Sequence, residues 1–317
     1  MKLAVKGGNP VRTRPFTKWP IFDEREEEAL IEVLRSGCWG RISGKKNEEF
    51  EEKFSQFVGA RYGVTCVNGT AALEIALRAM GIGKGDEVIV PAYTFIATAS
   101  ACMLVGADPV FVDIDPNTYN IDPGQIEQAI TAKTKAIIPV HISGCPANMD
   151  EIMKVASKYN LLVLEDAAQA HGAEWKGVKV GSIGDMASFS FQASKNINAG
   201  EGGAITTNNK KFADMAWSLM NVGRVKDGGW YDHPILGWNY RMTEFQAAIL
   251  LVQMERIEEQ MEKREENAKY LVEGLKKIGG VDPLAPDEGV TRHAYHLFIF
   301  KYQGEEFKNV NKDEFIQ

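Results

Sequence analysis

Residues 186–203 read Met-Ala-Ser-Phe-Ser-Phe-Gln-Ala-Ser-Lys-Asn-Ile-Asn-Ala-Gly-Glu-Gly-Gly, and the rest of the chain is best understood from them. The first part alternates small and apolar residues, which predicts a short strand. The strand gives way to Ser194-Lys195 and then to a glycine-rich turn at 200–203. Lys195 has little to pair with locally. It is either a surface lysine in a loop or a desolvated amine with a lowered pKa, able to attack a carbonyl and form a Schiff base.

A second informative stretch lies upstream, Leu-Leu-Val-Leu-Glu-Asp-Ala-Ala-Gln-Ala-His-Gly at residues 161–172. Four consecutive apolar residues indicate a strand covered on both faces, as in a parallel sheet. Asp166 follows at the carboxyl end of that strand, where open α/β sheets bind ligands. Asp166 either caps the next helix or works with Lys195. A pyridoxal phosphate (PLP) enzyme needs this pair, because the carboxylate keeps the ring nitrogen protonated while the lysine carries the aldehyde as an imine.

Strands and helices alternate along most of the chain. This order favours right-handed β-α-β units and a mostly parallel sheet flanked by helices. The predicted strands are 62–67, 87–90, 110–114, 136–140, 161–164 and 186–191, and the predicted helices are 22–36, 47–58, 68–80, a segment ending at 105, 123–131 and 207–222.

The glycine turn at Asn68-Gly69-Thr70-Ala71 joins a predicted strand to a predicted helix. The amino end of a helix offers unpaired N–H groups and a positive dipole to an anion. Thr70 is therefore either part of an anion site or only a helix cap.

The pattern changes after Thr243. Apolar residues spaced alternately by four and three residues predict one long connecting helix over 243–278. A strand is predicted at 295–300. Asn311 followed by Glu314 has the signature of a helix start, but no helix is expected behind it.

Composition excludes several classes of function. The net charge is −7 and no Lys/Arg-rich run occurs, so nucleic acid is not an expected partner. The amino terminus lacks the apolar core of a signal peptide and no apolar run has the length of a membrane span, so a cytoplasmic protein without a membrane partner is expected. The four cysteines, at 38, 66, 102 and 145, lack metal-ligand or redox spacing, so no metal site is expected.

Three motifs carry a resemblance to a known family: Asp-Ala-Ala-Gln-Ala-His-Gly at 166–172, Ser-Phe-Gln-Ala-Ser-Lys at 190–195 and Gly-Glu-Gly-Gly at 200–203. With them the chain resembles the DegT/DnrJ/EryC1/StrS aminotransferases along essentially its whole length. Those are fold-type I PLP enzymes that aminate keto-sugars and keto-cyclitols. The resemblance implies the α/β fold of a fold-type I PLP-dependent transferase. Because family members continue for several tens of residues more, we expect the smaller C-terminal α/β domain to be truncated.

We expect three parts in the chain. Residues 1–20 are an N-terminal arm rich in Gly, Pro and Arg, and 21–250 form the large PLP-binding domain. Residues 251–317 hold the connecting helix and the start of the small C-terminal domain.

The resemblance also implies roles for individual residues. Lys195 carries the cofactor and moves the proton in catalysis. Asn239 reaches from the partner subunit to the phosphate site, so a homodimer with shared active sites is expected. The remaining cofactor-binding residues are Gly69, Thr70 and Ala71 at the phosphate, Phe95 stacked on the pyridine ring, Asp166 at the ring nitrogen, and Gln169 and Ser190 at the ring substituents and phosphate. The substrate-binding candidates are Trp39, Arg41, Tyr240, Arg241 and His296.

The expected reaction moves an amino group from glutamine or glutamate to a keto-cyclitol or keto-sugar. Local details at 19–20, 38–41, 190–196, 239–245 and 292–297 resemble the scyllo-inosose branch of the family. The candidate arginines for a diphosphate (Arg35, Arg41, Arg224 and Arg241) do not cluster in sequence, which favours a neutral cyclitol ketone. The alternatives are a nucleotide-linked keto-hexose as acceptor, a PLP-dependent sugar dehydratase, in which the lysine is replaced by histidine, and a non-catalytic regulatory relative.

Overall fold

A computed structural model describes residues 2, 6–226 and 228–316. Residues 1, 3–5, 227 and 317 lie outside this part, so the predicted arm at 1–20 and the predicted domain at 251–317 are described incompletely. The strands are β1 (Tyr62–Cys66), β2 (Glu87–Pro91), β3 (Asp108–Val112), β4 (Thr134–Ile137), β5 (Leu162–Asp166), β6 (Glu174–Trp175), β7 (Val178–Lys179), β8 (Met186–Ser190), β9 (Gly203–Thr207), β10 (Val281–Pro283), β11 (Val290–Arg292) and β12 (Phe300–Tyr302). The helices are α1 (Glu24–Ser36), α2 (Lys46–Val58), α3 (Gly69–Ala79), α4 (Ala97–Val105), α5 (Pro123–Ala129), α6 (Met149–Tyr159), α7 (Lys210–Met220), α8 (Glu244–Gln253), α9 (Ile257–Leu275) and α10 (Lys312–Ile316).

A seven-stranded sheet organises the molecule, in the order β1-β9-β8-β5-β4-β2-β3. The pairs β2·β3, β2·β4, β4·β5 and β5·β8 are parallel, whereas β9 runs antiparallel to both β1 and β8. The carboxyl ends of β2, β4, β5 and β8 therefore meet at one edge of the sheet. The predicted mostly parallel α/β fold is confirmed.

Helices cover both faces of this sheet because its strands are apolar on both sides. Every residue of β8 is buried, and so are Val163 and Leu164 of β5. Helix α3 packs on one face together with α4 and α7, and its residues 71–77 are all buried. On the other face, Phe50 and Phe54 of α2 contact Phe191 at ring-centroid distances of 5.2 and 5.3 Å. This packing fixes the loops at the carboxyl edge of the sheet.

The long helix predicted after Thr243 is interrupted. Helix α8 ends at Gln253, a 3₁₀ turn covers Met254–Arg256, and α9 follows. The turn lets Gln253 and Arg256 reach the buried Glu26 of α1, with 2.9 Å between Arg256 Nη2 and Glu26 Oε2. A buried carboxylate is tolerated only when it is paired, so this ion pair favours the break over a continuous helix.

The strand predicted at 295–300 is wrong. Only Phe300 belongs to a strand, and Tyr295 has a left-handed backbone with φ of 43°. The backbone groups of this segment bond to loops instead of a neighbouring strand: the N–H of Ala294 donates to Gly144 O and that of Leu297 to Ser143 O. The helix start predicted at Asn311 is confirmed, because its side chain accepts from the N–H of Glu314. The expectation that no helix follows is wrong, because α10 begins at Lys312.

Within residues 2, 6–226 and 228–316, no helix is both long and apolar enough to cross a bilayer.

Candidate active site

A cavity of about 600 Å³ lies at the carboxyl edge of the sheet, within the range of ~300–1,000 Å³ typical of small-molecule sites. It is framed by the amino end of α3 and by the loops that follow β2, β5 and β8. Its lining contains Gly69, Thr70, Phe95, Asp166, Gln169, Ser190, Lys195 and His296 from the sequence predictions, together with Asn68, Leu73, Thr94, Ala97, Val140, Ala168, Gln192, Ser194 and Glu201.

Asp166 occupies the buried end of the cavity, as the last residue of β5. The residue is 6% exposed, and its carboxylate accepts two hydrogen bonds, from Thr98 Oγ1 at 2.7 Å and from the N–H of Ala168 at 3.2 Å. Burial raises the pKa of Asp166, while these donors and the charge of Lys195 act in the opposite direction. A buried carboxylate without an ion-pair contact is arranged to receive a positively charged partner.

Lys195 lies in the loop after β8, five residues beyond Ser190, the last residue of this strand. Its N–H donates to Gln192 O at 2.8 Å, and its own carbonyl accepts from Asn198 Nδ2 at 3.3 Å. No carboxylate of the described residues lies within ion-pair distance of its amine. Burial lowers the pKa of Lys195, against the opposing charge of Asp166. The amine is therefore more readily deprotonated than a surface lysine, which suits nucleophilic attack on a carbonyl.

The amino end of α3 forms the opposite side of the cavity. Asn68 caps this helix by accepting from the N–H of Ala71 at 2.8 Å, and the first N–H groups, at Gly69 and Thr70, have no acceptor within the helix. Gly69 packs closely on β8: a Cβ here would lie 2.7 Å from Ser190 Cβ. The glycine thus lets helix and strand approach, and the N–H groups and the Ser190 side chain together have the donors that an anion site needs.

Three further predicted residues line the walls. Gln169 accepts from the N–H of Ser143 through Oε1 at 2.6 Å. His296 is half-buried, and burial together with the charges of Lys195 and Arg264 lowers the pKa of this imidazole to about 4. Phe95 leaves 69% of its surface exposed at the mouth of the cavity.

Six predicted residues lie outside this lining. Ala71 is buried in α3, and its N–H donates to the side chain of Asn68 at 2.8 Å. The exposed Trp39 donates to Leu34 O, and Arg41 is buried in an ion pair with Glu51 at 2.7 Å. Tyr240 donates to Glu74 and Arg241 donates to Asn221, while Asn239 is exposed. The structure therefore does not place these six in the lining of the cavity of their own chain.

Sequence reasoning missed Thr98, the strongest hydrogen-bond partner of Asp166. It is the second residue of α4, three positions after Phe95, which precedes the helix. Its hydroxyl also lies 2.8 Å from the hydroxyl of Thr94. A threonine at the amino end of the helix after β2 was the available signal.

The chemistry of this cavity fits PLP. The free N–H groups of α3 suit a phosphate, the buried Asp166 suits a protonated ring nitrogen, and Lys195 suits an aldehyde carbon. All three groups line the same cavity. Fold and site together define an α/β enzyme of the PLP-dependent aminotransferase type.

Comparison with known proteins gives the family. The model of the DegT/DnrJ/EryC1/StrS aminotransferase family matches residues 20–317. A GDP-perosamine synthase of Caulobacter vibrioides is 45% identical over 283 residues, covering 89% of this chain and 76% of that protein. An L-glutamine:2-deoxy-scyllo-inosose aminotransferase of Streptomyces paromomycinus is 40% identical over 323 residues, covering 98% and 76%. The crystal structure of 3-amino-5-hydroxybenzoic acid synthase superposes with a TM-score of 0.89 at 40% identity, covering 91% and 76%.

The chain belongs to the DegT/DnrJ/EryC1/StrS aminotransferase family. It is a PLP-dependent aminotransferase, and the predictions of fold and enzyme class are confirmed.

Proposed function

We propose that this protein binds PLP in the cavity at the carboxyl edge of the sheet and transfers an amino group from glutamine or glutamate to a keto-cyclitol. The observation that carries the proposal is the meeting of Lys195, Asp166 and the amino end of α3 in one cavity. When bound, PLP supplies an aldehyde carbon and an electron-accepting ring.

Each group of residues at the cavity has a separate role in this proposal. Burial lowers the pKa of Lys195, which favours the neutral amine that would attack a carbonyl carbon; once free, this amine would move a proton as general acid and base. Asp166 would hold a proton on the ring nitrogen, and its hydrogen bond from Thr98 keeps the carboxylate oriented. Gly69, Thr70 and Ala71 would hold the phosphate with Ser190, Gln169 would bind a ring substituent, and Phe95 would cover the ring.

A neutral acceptor agrees with the charges of the cavity. Among the residues that line it, Lys195 is the one basic group other than His296, and no arginine is present. Arg41, a candidate for holding a diphosphate, already pairs with Glu51. A keto-cyclitol brings no charge that these walls would have to neutralise, and a relative that covers 98% of the chain is a scyllo-inosose aminotransferase.

A nucleotide-linked keto-sugar is the second candidate. Burial lowers the pKa of Arg241, and the charges of Arg224 and Arg41 lower it further, so three arginines that are far apart in sequence lie near enough to interact. Arg41 is paired with Glu51, which leaves Arg224 and Arg241 as the main candidates of this group. Such a group would suit a diphosphate. The match to a GDP-perosamine synthase gives this acceptor independent support.

The test is a half-reaction followed by absorbance. The PLP-loaded protein is converted to the aminated form with glutamine, freed of donor and mixed with a keto-cyclitol or a nucleotide-linked keto-hexose. We expect the aldehyde form to return rapidly with the cyclitol. If the aldehyde form returns with the nucleotide sugar and not with the cyclitol, the second candidate replaces the first. If neither glutamine nor glutamate produces the aminated form, aminotransfer from these donors is contradicted.

We also infer a homodimer with shared sites. Asn239 is exposed and outside the cavity of its own chain. Phe95 at the mouth, the adjacent Ile96 and Met103 on α4 expose 68–70% of their surfaces. Apolar surface of this kind usually marks an interface. Mixed dimers of Lys195→Ala and Asn239→Ala chains should regain activity at one of two sites, and no recovery would contradict shared sites.

The four free cysteines agree with a reducing, cytoplasmic setting.

A further inference from the structure

The loop after β4 makes an unusual turn beside the cavity. Ser143 has a left-handed backbone with φ of 58° although it is not a glycine, and Gly144 follows with φ of 93°. Both residues are buried in the loop. Left-handed backbone is costly for a residue with a side chain and persists where surrounding contacts hold it, often at functional sites.

This turn points a backbone donor at a cavity side chain. The N–H of Ser143 donates to Gln169 Oε1 at 2.6 Å. Because an N–H group donates only to an acceptor, the oxygen of the Gln169 amide faces Ser143 and its nitrogen faces away from Ser143. Its Nε2 makes no hydrogen bond within the described part of the chain, and Gln169 lines the cavity. Gln169 therefore offers a donor, not an acceptor, to a molecule in the site.

The same turn is bonded to the segment on the far wall. Gly144 O accepts from the N–H of Ala294 at 2.9 Å, and Ser143 O accepts from the N–H of Leu297 at 3.2 Å. His296 lies between these two contacts. Ala294 O in turn accepts from Nδ2 of Asn196, the residue after Lys195, at 2.8 Å. A continuous series of hydrogen bonds thus joins Gln169 to the loop that carries Lys195.

Glycine is needed at the centre of this series. A Cβ at Gly144 would lie 2.8 Å from Gln169 O, 2.9 Å from Ala294 Cβ and 3.1 Å from Tyr295 N. These are backbone atoms and a rigid methyl, which cannot move aside as a flexible side-chain end could. A larger residue would push Gln169 and segment 293–297 apart.

We propose that the Ser143-Gly144 turn is a positioning element for the cofactor. It orients the side-chain amide of Gln169 as a hydrogen-bond donor to an oxygen on the cofactor ring. Through segment 293–297 it also holds this donor at a fixed position relative to the loop that carries Lys195. This inference rests on the proposed function, since it assumes PLP in the cavity. A donor at the ring oxygen stabilises negative charge there, so it tunes the proton affinity of the bound chromophore.

The test compares Gly144→Ala with Gly85→Ala. Gly85 also has φ of 93°, but a Cβ there would meet nothing within 4 Å, so the two variants share the backbone strain and differ in the contacts. We measure the PLP dissociation constant of cofactor-free protein and the pH midpoint of the visible absorption change of bound cofactor. Gly144→Ala should bind PLP about tenfold more weakly than Gly85→Ala, as expected when a hydrogen bond to a charged group is lost. Its pH midpoint should rise.

Gln169→Glu keeps an acceptor for Ser143 and removes the donor, so it tests the same inference if Gly144→Ala does not fold. Its midpoint should also rise, and its PLP binding should weaken. Wild-type protein that binds no PLP would overturn the proposed function, and the inference with it. Two results would overturn the inference alone, provided that the wild-type protein binds PLP. One is an equal PLP dissociation constant for Gly144→Ala and Gly85→Ala, and the other is a pH midpoint in Gln169→Glu that equals that of the wild-type protein.

Discussion

Replacing Thr98 by valine removes one hydroxyl from the site and leaves its shape almost unchanged. In the protein that hydroxyl donates to Asp166 Oδ2 at 2.7 Å, and both side chains are buried. Hydrogen bonds to charged groups are worth about 1.5–3 kcal/mol. If Asp166 must be ionised to hold the ring proton, Thr98→Val should lower kcat/KM by ~10–100-fold. It should also raise the pKa of Asp166 further, since a donor to the charged form is lost.

Stopped-flow absorbance of the half-reaction with glutamine, followed from pH 5 to 9, measures both effects. A carboxylate with a raised pKa loses its charge at higher pH, so the acid limb of the Thr98→Val profile should move upward in pH. Thr98→Ser keeps the hydroxyl and serves as the control, with near wild-type rate and limb. Equal profiles for Thr98→Val and Thr98→Ser would refute the role given to this hydrogen bond.

Three other changes test separate parts of the site. Asp166→Asn should retain weakened PLP binding and lose orders of magnitude in turnover, because a neutral amide cannot keep the ring nitrogen protonated; unchanged turnover would make Asp166 a fold residue. Gly69→Ala, with a Cβ 2.7 Å from Ser190 Cβ, should weaken PLP binding in equilibrium dialysis, whereas Gly274→Ala, with open space around it, should not. Burial lowers the pKa of His171 from its ordinary 6.5 to about 3. Between these two pH values the unfolded chain binds a proton at His171 that the folded chain does not bind, so the free energy of unfolding should decrease as the pH is lowered from 6.5. Denaturant titrations of His171→Leu should show a smaller loss between pH 7 and 5, and an equal loss would contradict this assignment.

The sequence located Asp166 and Lys195 because each follows a recognisable strand. In a parallel sheet the carboxyl ends of such strands meet, so two residues 29 positions apart were expected to share a cavity, as they do. The backbone donors at the amino end of α3 were predictable for a similar reason, since a glycine turn between strand and helix exposes them; that they bind an anion stays a prediction.

Other parts of the site depend on contacts that leave no local pattern. Thr98 matters only because its hydroxyl meets Asp166, 68 residues away. Ser143 acts through its backbone N–H, and the residue type does not reveal that contact. Arg41 looked available for a substrate until Glu51, on the next helix, was seen to pair with it.

The C-terminal errors have the same origin. The apolar spacing after Thr243 continues through 254–256, but the buried charge of Glu26 draws Gln253 and Arg256 into a 3₁₀ turn. Residues 295–300 have the composition of a strand, yet their backbone partners lie in the loop at 143–144. Tertiary hydrogen bonds outweighed local propensity in both places.

The central claim is that Lys195 is the amine that binds the cofactor covalently. Incubation with PLP, reduction with borohydride, proteolysis and mass spectrometry would identify the modified residue. The account predicts one stoichiometric phosphopyridoxyl group, on the peptide that contains Lys195, and none at that peptide in Lys195→Ala. A stoichiometric label on another lysine, or no label on the wild-type protein, would contradict it.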